Sequence, residues 1–189
     1  MSRVVLGVSG ASGAALALAV SRHLNALKAE IDIVVSAAAE RTLAEECGPN
    51  AFEELAAMGR LHDRNDIGAS IASGSAPVDG MIVAPCSMRS LAAIANGLDD
   101  SLLTRAAGVQ LKERRRLVLL AREAPLTLAH LRNMTQATEM GGIILPPVPA
   151  FYLKPDNLDD VIDQIAARAV DMLGLAPPIA LKWNGEPKS

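Results

Sequence analysis

Cysteine is scarce: Cys47 and Cys86 are the only two in 189 residues, they lie far apart, and neither belongs to a CxxC or a Cys/His metal spacing. A disulfide framework is thereby excluded as the organising device, and a reducing compartment, the cytoplasm, is expected. Long apolar runs are missing as well, since no stretch reaches the roughly 20 residues that a bilayer span requires. The apolar residues that begin at Val4 are interrupted by glycine and serine without a cleavage-type pattern, so neither a membrane anchor nor a secretory leader is expected. Charge of one sign does not dominate either. The 18 basic and 21 acidic side chains leave a net charge of −3, which gives no general attraction to nucleic acid or an anionic membrane but leaves room for a local basic site.

What is present is apolar: half of the residues are hydrophobic, enough for one substantial core in a chain of this length. One domain over 1–175 is expected, followed by a tail, 176–189, that holds prolines and Trp183 and has no period. The rest of the chain is organised around Val4-Val5-Leu6-Gly7-Val8-Ser9-Gly10-Ala11-Ser12-Gly13. An unbroken apolar run that meets glycines and serines and then helix formers reads as a buried parallel strand, a tight turn and a helix N-terminus. First-turn amides lack internal partners and carry the positive end of the helix dipole, so a phosphate can settle there where glycine lets the backbone approach. Ser12 adds a hydroxyl; a plain turn without a ligand is the alternative.

Helical spacing over 14–27 leads to a second strand, 31–35, that ends at Ser36. A dinucleotide site is disfavoured, because Val8 stands at the first glycine position of GxGxxG and Ser36 replaces the acidic residue that would hold a ribose. A mononucleotide version survives, with Ser36 bonding a ring or ribitol edge. Helices over 37–47 and 52–58 precede an irregular stretch, 61–80, with the small-residue loop Ser70-Ile71-Ala72-Ser73-Gly74-Ser75. A third strand over 81–84 runs through Pro85-Cys86-Ser87 into a helix over 88–96, repeating the opening architecture. A helix over 100–115 carries Arg105 and Lys112 on one stripe, and the run Arg114 to Arg116 reads as a solvated basic surface. Arg122 and Glu123 leave the carboxyl end of a fourth strand, 117–121, where a charged pair points into a crevice or forms a structural ion pair. A helix over 126–139, a fifth strand over 143–145, a rigid proline segment that fixes where Phe151 and Tyr152 project, and a helix over 158–173 with Arg168 complete the chain. Alternating strands and helices predict an α/β fold with a parallel sheet, whose carboxyl-end loops bring Ser12, Ser36 and Ser87 to one crevice. Ser87 serves equally well as a helix N-cap.

Several stretches together resemble one family, the flavin prenyltransferases of the UbiX type, once described as aromatic acid decarboxylases. They are Gly7-Val8-Ser9-Gly10-Ala11-Ser12-Gly13, Pro85-Cys86-Ser87, Leu111-Lys112-Glu113-Arg114-Arg115, Arg122-Glu123-Ala124-Pro125-Leu126 and Pro146-Pro147-Val148-Pro149-Ala150-Phe151-Tyr152. The resemblance implies a doubly wound, three-layer, flavodoxin- or Rossmann-like sheet, a homododecamer, and transfer of a dimethylallyl group from dimethylallyl monophosphate to reduced FMN without a metal. Prenylated FMN would then serve a partner decarboxylase of the UbiD type. By matching position, Gly10, Ala11, Ser12, Ser36, Ser87, Met88, Arg89, Ser90 and Arg122 would contact FMN. Ser73, Gly74, Arg105, Lys112, Glu123, Tyr152 and Arg168 would surround the prenyl phosphate, some of them donated by a neighbouring subunit. Glu46 and Trp183 match further active-site positions, and catalysis would fall to Ser12, Glu46, Lys112, Glu123 and Trp183, the last in a tail that belongs to the oligomer and its site.

The residues suit that chemistry. Breaking an allylic C–O bond leaves a carbocation and a phosphate, so the site must hold the departing anion with preorganised donors such as Lys112, Arg122, Arg168 and Tyr152. No metal is expected, since Asp99-Asp100 and Asp159-Asp160 do not extend to a DDxxD pattern. Glu123 would pass a proton between phosphate and flavin. Two departures lie at the flavin edge: Ala37 stands where many relatives carry Lys, and Ser90 where they carry Thr. The competing readings are an FMN-dependent decarboxylase of the cysteine-decarboxylase family, which leans on a histidine and an asparagine-bearing loop, and a non-enzymatic flavin carrier. The loop here reads Pro85-Cys86-Ser87-Met88, and His23, His62 and His130 fall on segments read as surface. A carrier would not need Lys112, Glu123 and Arg168.

Overall fold

Successive residues of the central strands part to opposite sides of one sheet. The computed structural model, which describes residues 1–183 and 185, contains β1 (Arg3–Val8), β2 (Glu30–Val35), β3 (Arg60–His62), β4 (Gly80–Cys86), β5 (Arg116–Ala121) and β6 (Gly142–Ile144). All pairings are parallel, in the order β3-β2-β1-β4-β5-β6. Val4, Leu6, Val8, Ile82, Ala84, Val118 and Leu120 face one layer, made by α1 (Ala15–Ala26), α2 (Ala37–Cys47), α3 (Ala51–Ala57) and α7 (Leu158–Asp171). Val5, Met81, Val83, Leu117 and Leu119 face the other, made by α4 (Met88–Ala95), α5 (Leu102–Lys112) and α6 (Leu128–Glu139). Strands covered on both faces need no polar alternation, which is why they read as continuous apolar runs. The fold is the three-layer α/β architecture expected.

The sheet has one strand more than the sequence suggested. β3 lies in the stretch read as irregular, and its residues Arg60, Leu61 and His62 pair with Asp32, Ile33 and Val34. An edge strand is held by backbone bonds on one side only and keeps polar side chains outward, so it lacks the apolar signature of its neighbours. It is fastened by a buried polar cluster: Arg3 Nε donates to Asp32 Oδ2 at 2.6 Å, and His62 Nε2 lies 2.7 Å from Asp32 Oδ1. Asp32 is 2% exposed. The remaining elements match the expected ones to within a few residues, with Ser101 and Thr127 closing capping boxes at the starts of α5 and α6.

Candidate active site

The strand order reverses between β1 and β4, so the loops that follow these two strands flank the crevice at the carboxyl edge of the sheet. Ser9 stitches them together. Its hydroxyl donates to Pro85 O at 2.9 Å and accepts from Ser87 N at 2.7 Å. Backbone bonds extend the row of loops, from Ser36 N to Val8 O at 3.0 Å and from Arg122 N to Cys86 O at 3.0 Å. Ser9 is 1% exposed, and sequence reasoning saw it only as part of a motif. The turn is also packed tightly from below, because a Cβ on Gly10 would lie 2.3 Å from Ala38 Cβ of α2. Gly10 is required there by the approach of α2, whatever else it meets.

Ser36 and Ser87 are helix N-caps, accepting from Ala39 N at 3.2 Å and Ser90 N at 3.2 Å. Their helices, α2 and α4, begin beside one cavity of about 100 Å³, lined by Ser36, Ser90, Arg64, Asn65, Arg89 and Ser101. Two helix N-termini and two guanidinium groups border this small cavity, as the phosphate end of a mononucleotide would require, although Arg64 is paired with Glu40 and Arg89 with Asp100. The first turn of α1, the place the sequence favoured for a phosphate, is taken by protein. Glu46 Oε2 accepts from Gly13 N and from Ala14 N, each at 2.8 Å. Desolvation raises the affinity of Glu46 for a proton, but hydrogen bonds from Ala14, Ser12 and Gly13 and the charge of Arg122 together outweigh it and hold the carboxyl below its usual range. Glu46, Ser12 and Arg122 thus meet at the crevice.

Arg122 and Glu123 do not form the structural ion pair that was the alternative, and neither enters any ion pair among the described residues. Both are exposed at the carboxyl end of β5. Among the described residues, Glu123 Oε1 accepts only from Ala124 N, at 3.0 Å.

Of the residues matched to the prenyl phosphate, Glu123 stands at this crevice and the others do not. Ser73, Gly74, Arg105 and Lys112 form a second group along α5. Arg105 Nε donates to Ala72 O at 3.2 Å and pairs with Asp99 at 2.8 Å, and the Lys112 ammonium contacts Glu113 beside Gly74. Arg115, read as solvated, instead donates to Gly74 O at 2.8 Å. A third group, Tyr152, Arg168 and Trp183, lines a cavity of about 420 Å³ on α7, with Tyr152 and Trp183 edge to face at 5.5 Å. This cavity lies on the other layer from α5 and toward the amino edge, since the carbonyl of Met172, four residues past Arg168, is bonded by Arg116 Nη1. A larger cavity of about 560 Å³ adjoins it, but Asp156, Asp159, Asp160 and Asp163 line it and would repel a phosphate.

The histidines and Cys86 are structural. His23 pairs with Asp163 at 2.8 Å, His62 with Asp32, and His130 closes the α6 capping box. Burial pushes the Cys86 thiol up to about 12, far from a reactive thiolate.

Fold and crevice define a mononucleotide-binding α/β protein of flavoprotein type, and the Flavoprotein family model matches residues 1–170. Within that class the chain belongs to the UbiX flavin prenyltransferase family. It is 49% identical over 183 residues to the flavin prenyltransferase UbiX of Neisseria meningitidis serogroup B, covering 97% of each chain. The crystal structure of AnUbiX (PadA1) in complex with FMN and dimethylallyl pyrophosphate superposes with a TM-score of 0.93 at 45% identity, covering 98% of both chains. A dodecameric FMN-dependent UbiX-like decarboxylase from Escherichia coli O157:H7 superposes at 0.90 with 41% identity, over 97% of this chain and 100% of that one.

Proposed function

We propose that the protein transfers a dimethylallyl group from a dimethylallyl phosphate to reduced FMN, in sites assembled from several copies of the chain. The observation that carries this reading is the arrangement at the carboxyl edge, where the exposed Arg122 and Glu123, free of ion pairs, stand beside Glu46 and two serine-capped helices in a chain nearly half identical to a named prenyltransferase. Ser36, Arg89 and Ser90 would hold the FMN phosphate, and the Gly10 to Ser12 turn the flavin end. Reduced FMN supplies the nucleophilic carbon. Lys112, Arg168 and Tyr152 stabilise the phosphate as the allylic C–O bond breaks and the oxygen keeps the electron pair. Glu123 accepts the proton released on alkylation and returns it to the departing phosphate.

The donor is dimethylallyl monophosphate in this reading, although the relative's structure holds the pyrophosphate. Further parts of the proposal are independence of metal, a cytoplasmic location, a homododecamer, and a UbiD-type decarboxylase as recipient. The chain is one domain over 1–175 whose tail completes the site; residues 184 and 186–189 of that tail lie outside the described residues. No helix among the described residues is long and apolar enough to cross a membrane. Anaerobic incubation with reduced FMN and dimethylallyl monophosphate, followed by mass spectrometry of the flavin, tests the activity. A flavin of unchanged mass refutes it.

A further inference from the structure

Residues 178–183 do not trail away from the domain but lie along α7, fastened by two of its side chains. Asp171 Oδ1 accepts from Ile179 N at 2.8 Å, and its Oδ2 from Ala180 N at 3.1 Å. The Gln164 carboxamide pairs with Leu181 in both directions, Nε2 donating to the carbonyl at 3.1 Å and Oε1 accepting from the amide at 3.0 Å. Gln164, Arg168 and Asp171 follow an i, i+4, i+7 spacing and so share one stripe of the helix. The segment therefore runs antiparallel to α7 past Arg168, which stays exposed. Within the segment Ala180 is buried, and Trp183 is delivered to the ring of Tyr152.

The same contacts set the electrostatics of the cavity that Lys182 lines together with Arg168 and Tyr152. Asp171 is the carboxylate nearest in sequence to Arg168 on this stripe, but both of its oxygens are taken by strap amides. Among the described residues no ion pair holds Arg168 or Lys182. A phosphate monoester carries about −1.5 to −2 near neutral pH, more than Arg168 neutralises from this chain before Lys112 of another copy is added. A second cation on the opposite wall answers that demand.

We infer that residues 178–183 form a built wall of the donor cavity, in which Gln164 and Asp171 are positioning residues and Lys182 is a second cation for the donor phosphate beside Arg168. The inference rests on the donor reading above and assigns to that cavity three residues which sequence matching did not. Trp183 is the only tryptophan in the chain, so its fluorescence reports the strap without requiring turnover.

The test uses the full-length protein loaded with oxidised FMN, titrated with dimethylallyl monophosphate and read by Trp183 emission and acrylamide quenching. In Gln164→Leu, quenching should rise in the free protein, and the donor KM in the prenylation assay should rise roughly tenfold, as the loss of about 1.4 kcal/mol of ordering contacts implies. FMN affinity should stay within about twofold of the parent. Gln164→Glu, which keeps the acceptor for Leu181 N, should fall between the two and guards against a folding defect. Lys182→Met should raise the donor KM and Lys182→Arg restore it, a rescue that a merely structural side chain would not show. Unchanged quenching and KM in Gln164→Leu, or a Lys182→Met enzyme equal to the parent, overturns the inference. If the parent itself makes no product, the prenyl-transfer reading has failed separately. Titration with inorganic phosphate, read through Trp183, then decides whether Arg168 and Lys182 form an anion site.

Discussion

Lys112 and Glu123 stand at opposite edges of the sheet, Lys112 at the end of α5 before β5 begins and Glu123 two residues after β5 ends. Six strand residues at about 3.3 Å each put roughly 20 Å between those edges, beyond the reach of a lysine side chain. One chain therefore cannot use both groups on one substrate. If both serve the reaction, they come from different copies, and mixed oligomers of two inactive variants should regain activity. Co-expression of Lys112→Ala with Glu123→Gln, compared with each alone, measures it. Mixtures no more active than the separate variants would mean that Lys112 has no part in the site.

Glu123 has no ion-pair partner among the described residues, so its substitution should disturb chemistry more than structure. Glu123→Gln is expected to bind FMN within about twofold of the parent and to prenylate roughly 10²-fold more slowly, the usual loss for an acid/base group. Flavin titration and single-turnover rates separate the two effects. A parent-like rate would reduce Glu123 to a bystander.

Leu128 and Leu131 on α6 are 61% and 47% exposed, and Ala137 is the one buried residue of that helix. An apolar helix face left open by the single chain is expected to be covered by another copy. Leu131→Asp should shift the species seen by sedimentation velocity to smaller assemblies and depress prenylation with it. An unchanged assembly would place the interface elsewhere.

Asp32 is buried against Arg3 and His62. Burial alone would raise its pKa, but the hydrogen bonds from Arg3 and His62 and their charges prevail, and the folded value lies below that of the unfolded chain. A depressed pKa contributes stability that is complete above the unfolded value, about 3.9, and is lost as pH falls through the folded value. Asp32→Ala should cost roughly 3–5 kcal/mol at neutral pH, because it strands the part-buried Arg3 guanidinium without its carboxylate and leaves the His62 ring without its hydrogen-bond partner. Below about pH 4 the gap between parent and variant should narrow. Urea titrations at a series of pH values show this, and a gap constant down to pH 2 would exclude the linkage.

Gly10→Ala should lower the thermal midpoint, since the added methyl meets Ala38 at 2.3 Å and overpacking of this kind costs roughly 1–3 kcal/mol. Any loss of FMN affinity then follows from displacement of α2. A variant as stable as the parent with reduced FMN binding would instead locate the flavin against Gly10 itself.

Periodicity alone determined much of the architecture. Continuous apolar runs can be satisfied only by strands covered on both faces, and serines set before helical stretches are caps almost wherever such stretches fold, as Ser36 and Ser87 are. The loops that carry Ser12, Ser87 and Arg122 were legible for the same reason, because each follows a strand. β3 escaped notice because an edge strand depends on its neighbour's backbone rather than on its own side chains.

Only the tertiary structure decided which of these residues meet. Glu46 is 33 residues from Gly13 and reaches the first turn of α1 through the packing of α2. Arg115 sits in a basic run that reads as solvent, yet it holds Gly74. Gln164 and Asp171 have the polar identity of ordinary helix-surface residues until the tail is laid across them. Local spacing decides which face of an element a side chain occupies. Long-range packing decides what stands opposite, and here it divides one presumed site into three groups on a single chain.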